Sequence, residues 1–311
     1  VSQSPQPKSS RAWNLTKAIL KYALFALIFW YVGTRFTDNL KRLEWSELTV
    51  SPLFMTSGIL MMMFYFFCMM ECWRLLVVNL GHSLHRRSAI RIWYDANMIK
   101  YLPGKVWFFV GRFDLSRRAG VPKLVVTYSI FLEAAMLNLA AILLYCACQG
   151  WLSESRFATG IYVALAIGGI IGLHPVFMNT AYRLYCRLSK REPRRLPVTY
   201  GRLLLMLLAY VFTWMVYSTA CWLIALSLAV PASFPAFLAV FPFAWAIGYL
   251  SFFTPGGLGV REGATVLLLG DLMGQSAASL ITVVVRLIWM AAEVAWFLIA
   301  RFKGKINEST V

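Results

Sequence analysis

The sequence predicts an all-α polytopic membrane protein, with about six full spans plus two re-entrant helical hairpins arranged as an inverted repeat. Three observations carry this expectation. First, 60% of the 311 residues are hydrophobic, 14% are charged, and the mean hydropathy is +0.66. A soluble fold of this size could not cover so much apolar surface. Second, the apolar residues gather into continuous runs near the ~20 residues that cross a bilayer as helix. They do not form the short alternating segments of a β-barrel. Third, two apolar stretches are broken by Pro-Gly pairs: KYLPGKVW at 100–107 and FFTPGGLGVREGA at 252–264.

Residues 1–17, VSQSPQPKSSRAWNLTK, are polar and basic and are expected to form a cytoplasmic tail. No small-residue cleavage site follows a short apolar core, so the first span, at 18–34, reads as a retained helix rather than a signal peptide. The charge-balanced segment after it fits the outside. A second span covers 53–80, and residues 89–122 form the first expected hairpin. A third span runs over 124–148 and a fourth over 157–178. The loop at 179–202 carries Arg183, Arg187, Lys190, Arg191, Arg194, Arg195 and Arg202 against Glu192 alone. A fifth span covers 203–230, a second hairpin 234–274, and a last span 277–300. The transmembrane domain thus occupies 18–302, and 303–311 form a second basic, cytoplasmic tail.

The net charge is +17. On a soluble chain that would suggest nucleic acid. Here the basic residues sit at the ends of apolar spans, which is the positive-inside pattern. Counting from a cytoplasmic N-terminus, every basic flank falls inside if both Pro-Gly segments turn back on themselves, 89–122 from the cytoplasm and 234–274 from the outside; the alternative, 236–253 as a full crossing, leaves either the C-terminus outside or the second short piece crossing alone.

Unpaired backbone groups in hydrocarbon cost several kcal/mol each, so a break at membrane depth persists only against protein or a wet cavity. Glycine lets the backbone approach a neighbour or ligand closely. A helix starting after Gly259 turns its first amides toward the break, where an anion such as a phosphate is favoured. The stretch lacks GxxxxGK[ST] and a preceding strand, so it is no nucleotide loop. Ionisable residues inside spans mark a site or pair with each other. Glu71 and Arg74 are three apart and can pair locally. Glu133 needs a partner from another helix. Opposite charges could assemble as Glu133 with Arg286 or Arg261, and Glu262 or Glu293 with an arginine. They would serve as structural pairs or as the lining of a polar groove. The six cysteines include no CxxC pair and no accompanying histidine set, so they read as packing residues and no metal is expected.

The two breaks share a pattern: aromatic-x-Pro-Gly, a charged residue within nine positions, a further glycine, then a span with a buried charge. Glu133 lies 30 residues after Pro103 and Arg286 lies 31 after Pro255. The spans before the two breaks run in opposite directions in this topology, as in inverted-repeat transporters.

PGGLGVREG near the C-terminal end, YLPGKVW…GR in the first half, and an arginine in the span after the glycine motif resemble the lysylphosphatidylglycerol synthase transmembrane-region family, from about residue 18 to 302. The resemblance implies a flippase-like membrane protein that handles lipid. In relatives that aminoacylate lipid, a soluble C-terminal domain does the transfer. This sequence ends eleven residues after its last span, so no aminoacyl transfer is expected of it. The expected function is translocation of an anionic phospholipid or polyprenyl-linked sugar across the bacterial cytoplasmic membrane, without covalent catalysis or cofactor. Both termini would be cytoplasmic. The headgroup would be held by Pro103, Gly104, Lys105, Arg112, Glu133, Pro255, Gly256, Gly257, Gly259, Arg261, Glu262, Arg286 and Glu293. An integral-membrane transferase acting on a lipid phosphate is the alternative enzyme class. Its acidic pair or base is hard to find, since His82 and His85 lie in a basic loop and no Asp-x-Asp occurs. A non-transporting scaffold, recruiting an envelope-biosynthesis protein through the basic loop, is a third class. Nucleic acid is not an expected partner.

Overall fold

The computed structural model describes residues 50–99, 106–148, 156–176, 180, 198–230, 233–251, 257 and 259–308. The expected N-terminal tail, the first span and most of the segment after it, the last three residues of the C-terminal tail and most of the basic loop lie outside these residues. The described chain is helical, with no strand among the described residues. In chain order the helices are α1 (Pro52–Asn79), α2 (Arg86–Ile99), α3 (Val106–Arg118), α4 (Lys123–Ala147), α5 (Arg156–Gly172), α6 (Tyr200–Ser227), α7 (Phe234–Leu250), α8 (Val260–Met273) and α9 (Gln275–Glu308).

Among the described residues, four helices are long and apolar enough to cross a bilayer: α1, α4, α6 and the Gln275–Arg301 part of α9. They coincide with the second, third, fifth and last expected spans. The fourth expected span, 157–178, appears as the shorter α5, 17 residues long. The two Pro-Gly segments appear as pairs of short helices, α2 with α3 and α7 with α8, of 14, 13, 17 and 14 residues. Members of each pair pack on each other.

α1 and α6 form the centre and pack most extensively. Both have 28 residues, and they run antiparallel. The Ser51 amide at the start of α1 donates to the Ser227 carbonyl at the end of α6 at 2.8 Å. Further along, the Tyr65 and Tyr217 rings lie 5.0 Å apart, and Cys72 Sγ meets Thr213 Oγ1 at 3.5 Å. Gly58 permits the approach, because a β-carbon there would sit 2.8 Å from Ile224. Small residues play this role wherever membrane helices pack closely. Indole donors tie further helices to this pair: Trp214 Nε1 donates to the Leu137 carbonyl and Trp296 Nε1 to the Met63 carbonyl, each at 2.9 Å. Large apolar side chains such as Leu60, Phe131, Leu205 and Leu267 are exposed, as lipid-facing positions should be.

The packing has an internal regularity. Exchanging α1–α4 with α6–α9 maps the closely packed helix pairs onto one another. Thus α1–α2 corresponds to α6–α7, α3–α4 to α8–α9, α2–α9 to α7–α4, and α1–α9 to α6–α4, while α1–α6 maps onto itself. Among the described helices, α5, packed on α4, is the one without a counterpart in the second half.

Candidate functional site

The short helices and the spans that follow them enclose a cavity of about 750 Å³. Arg112, Glu133, Arg261, Arg286 and Glu293 line it. The rest of the wall is largely aromatic and aliphatic, including Tyr65, Trp93, Phe108, Trp245, Tyr249 and Trp289. A pocket of this size and make-up, mostly apolar with a few convergent polar groups, is what a ligand site requires.

In the first half, α3 and α4 pack on each other and bring Arg112 against Glu133. The guanidinium is bidentate: Nη1 donates to Oε2 at 2.5 Å and Nη2 to Oε1 at 3.3 Å. Both residues are buried, Arg112 to 2% exposure. Arg112 Cζ also stands 4.4 Å from the centre of the Trp73 ring, with Phe108 at 5.7 Å and Trp93 at 5.9 Å. A guanidinium taken from water needs such compensation, from a carboxylate in fork geometry and from ring faces.

In the second half the signs are exchanged. The short helix α8 supplies Glu262, and the following span α9 supplies Arg286. Arg286 Nε lies 3.5 Å from Glu262 Oε1, and Arg261 Nε lies 3.8 Å from the same oxygen. One carboxylate oxygen is thus shared between two guanidiniums at distances longer than a good hydrogen bond. The other, Oε2, accepts the Gly259 amide at 2.7 Å and caps α8. Arg261 Cζ stands 4.8 Å from the centre of the Trp289 ring. Behind this cluster a small void with room for about one water is bordered by Tyr217, Arg261, Glu262, Thr265, Thr282 and Arg286. Glu293, 1% exposed, faces the large cavity from α9.

The glycines before α8 have a packing reason. Gly257 adopts φ 71° and Gly259 φ 83°, both left-handed. A β-carbon on Gly257 would sit 2.7 Å from the Gly248 carbonyl oxygen of α7. On Gly248, one would sit 2.9 Å from Arg261 Cβ. The chain after the break therefore lies directly on α7, and this contact holds Arg261 at the cavity wall.

Of the residues expected to bind a headgroup, five line the cavity: Arg112, Glu133, Arg261, Arg286 and Glu293. Glu262 stands behind them, pairing with Arg261 and Arg286, as an expected glutamate–arginine pair. Gly257 and Gly259 shape the approach to α8. Pro103, Gly104, Lys105, Pro255 and Gly256 lie outside the described residues. One pairing differs from expectation: Glu133 takes Arg112, not Arg261 or Arg286, because the short turn after α3 folds α4 back onto it. The Gly259 amide, expected to face a ligand, is taken by Glu262. Glu71 pairs with Arg74 at 2.6 Å as expected and with the exposed Arg86 at 3.1 Å; both contacts lie outside the cavity lining.

Sequence reasoning passed over the aromatic wall. Its signal was present: each Pro-Gly pair is preceded by a tryptophan ten positions earlier, Trp93 before Pro103 and Trp245 before Pro255. Four residues after each tryptophan come Asn97 and Tyr249, one turn along the same helix face. All four line the cavity.

The sequence pattern of the lysylphosphatidylglycerol synthase TM region matches residues 18–295. A search of curated proteins finds no match.

Proposed function

Because the chain belongs to the lysylphosphatidylglycerol synthase transmembrane-region family, we propose that it translocates an anionic phospholipid or lipid-linked sugar across the bacterial cytoplasmic membrane. The headgroup occupies the cavity between α2–α3 and α7–α8. Membership of this family implies a membrane protein concerned with lipid; the translocation is this reading's own step. The observation that carries it is the gathering of three arginines and two glutamates, all buried except the half-buried Arg286, around one aromatic-walled cavity of about 750 Å³. Charges this deep in a membrane protein are costly and belong by default to a site or pathway. Arginine's planar fork suits a phosphate, and the aromatic walls suit a glycerol or sugar.

The lengths of the short helices support re-entrance. Each falls short of the roughly 20 residues of a typical crossing, and the partners in each pair pack together. The antiparallel α1 and α6, with the exchange-related packing, support an inverted repeat. In transporters of that design the site sits between the halves, and rocking one half against the other exposes it alternately. With two re-entrant pairs, both termini fall on the cytoplasmic side. No covalent step is needed: the arginines bind and release the phosphate, and the glutamates balance their charge between loads.

Reconstitution tests this. Liposomes containing the protein and fluorescent phosphatidylglycerol are treated with dithionite, which bleaches outer-leaflet dye only. Dye loss beyond the outer-leaflet half, absent from empty vesicles and reduced in Arg261→Gln, is the expected result. Bleaching equal to that of empty vesicles, with phosphatidylglycerol and with a lipid extract of the source membrane, sinks the reading.

A further inference from the structure

Among the described residues, the cavity's rim is chemically one-sided. Four lining residues are exposed: Phe109 (37%) and Val110 (49%) on α3, Phe131 (70%) on α4 and Leu250 (57%) at the end of α7. All four are apolar. The charged lining groups are buried or half-buried. A mouth open to water would be rimmed by polar groups, whereas exposed large apolar residues together mark a face turned to lipid or a partner.

Position along the helices points the same way. Eight residues separate Phe131 from Lys123, and eight separate Phe109 from Arg117. Both doorposts therefore lie about 12 Å along their helices from the basic turn joining α3 to α4. That is most of the roughly 15 Å half-thickness of a bilayer's hydrocarbon. The exposed Arg117, Arg118 and Lys123 mark the interface end of these helices. α3 and α7, which carry opposite sides of the rim, are not among the closely packed helix pairs. Just inside the mouth lie Arg112 and Glu133, the latter two residues beyond Phe131.

We infer that the cavity is loaded sideways from the bilayer, through a portal between α3 and α7 with Phe131 as its sill. Its ligand is then a lipid whose hydrocarbon chain lies across Phe109, Phe131 and Leu250 while its phosphate reaches the arginines. Among the described lining residues, no exposed polar group offers a water-soluble phosphate a comparable entrance. The inference rests on the headgroup-binding reading above and adds to it the route and the requirement for an attached chain.

The test uses purified, delipidated full-length protein and palmitoyl-oleoyl phosphatidylglycerol as probe, with retained lipid counted by native mass spectrometry. Phe131→Cys is labelled with fluorescein maleimide to plug the mouth. Identically treated wild type controls for the native cysteines, and labelled Leu205→Cys controls for bulk on a lipid-facing position outside the cavity lining. The plugged protein is expected to retain about tenfold less lipid than either control, a change of about 1.4 kcal/mol. Excess glycerol 3-phosphate is expected not to displace the lipid from wild type. Unchanged retention after plugging, or ready displacement by glycerol 3-phosphate, overturns the portal and leaves the headgroup reading standing. Wild type that retains no phosphatidylglycerol overturns both. If unlabelled Phe131→Cys does not fold, Phe109→Cys carries the same plug at the opposite post.

Discussion

The two halves of the molecule place a short helix and the following span in corresponding packing, yet they treat their charges differently. In α1–α4, Arg112 and Glu133 close on each other as a tight fork, with Trp73 stacked on the guanidinium. In α6–α9 the roles are swapped, and Glu262 stretches between Arg261 and Arg286 at 3.8 and 3.5 Å while also capping α8. The difference teaches that equivalent frameworks need not do equivalent work. The first half holds its arginine shut against a carboxylate. The second shares one carboxylate oxygen between two arginines at longer range, so a phosphate that enters there competes with longer contacts to Glu262 than those of the Arg112–Glu133 fork.

Breaking the closed pair should have the largest effect on stability. Glu133→Ala strands a buried guanidinium and should lower unfolding free energy by about 3–5 kcal/mol, whereas the double change Arg112→Met with Glu133→Leu should restore most of it. Equilibrium unfolding in mixed detergent reads both; a double variant no better than the single would show that the pair is not an isolated unit. Gly257→Ala comes next, at about 1–3 kcal/mol, since it forces a left-handed residue against the Gly248 backbone. The same variant should also retain less phosphatidylglycerol by native mass spectrometry, because the contact that holds Arg261 at the cavity wall is displaced. Glu262→Ala should cost less than Glu133→Ala, about 1–2 kcal/mol, mostly the lost cap; an equal or greater loss would erase the contrast between the halves. Smallest is Arg74→Ala, outside the cavity, at about 1 kcal/mol or below. It should leave dithionite-detected lipid movement unchanged.

Much of this architecture was legible in the sequence, for identifiable reasons. The spans at Pro52–Asn79, Lys123–Ala147 and Tyr200–Ser227 are long, uniformly apolar runs, and length with composition suffices to find such helices. The broken segments announced themselves through Pro-Gly pairs that lipid does not tolerate. Which arginine would meet Glu133 was not legible, because it depends on how tightly the chain turns between Arg118 and Lys123. Sequence spacing offered Arg261 and Arg286 as its partners and left Arg112 aside. Gly257 looked like a residue that clears space for a ligand; its partner is Gly248, a contact set by how α7 and the chain after the break meet. The aromatic wall was written in the paired tryptophans at 93 and 245, but tryptophan is common in membrane helices and its register becomes informative only beside the other copy.

Arg261 and Arg286 are proposed to hold a lipid phosphate. Native mass spectrometry of delipidated protein titrated with phosphatidylglycerol tests it most directly, comparing wild type with Arg261→Gln, Arg286→Gln and Arg74→Gln. One retained lipid per chain is expected in wild type and Arg74→Gln, with retention about tenfold weaker in each of the other two, equivalent to one lost charge-assisted contact of about 1.4 kcal/mol. Equal retention by all four proteins would place the lipid on the outer surface and contradict the account.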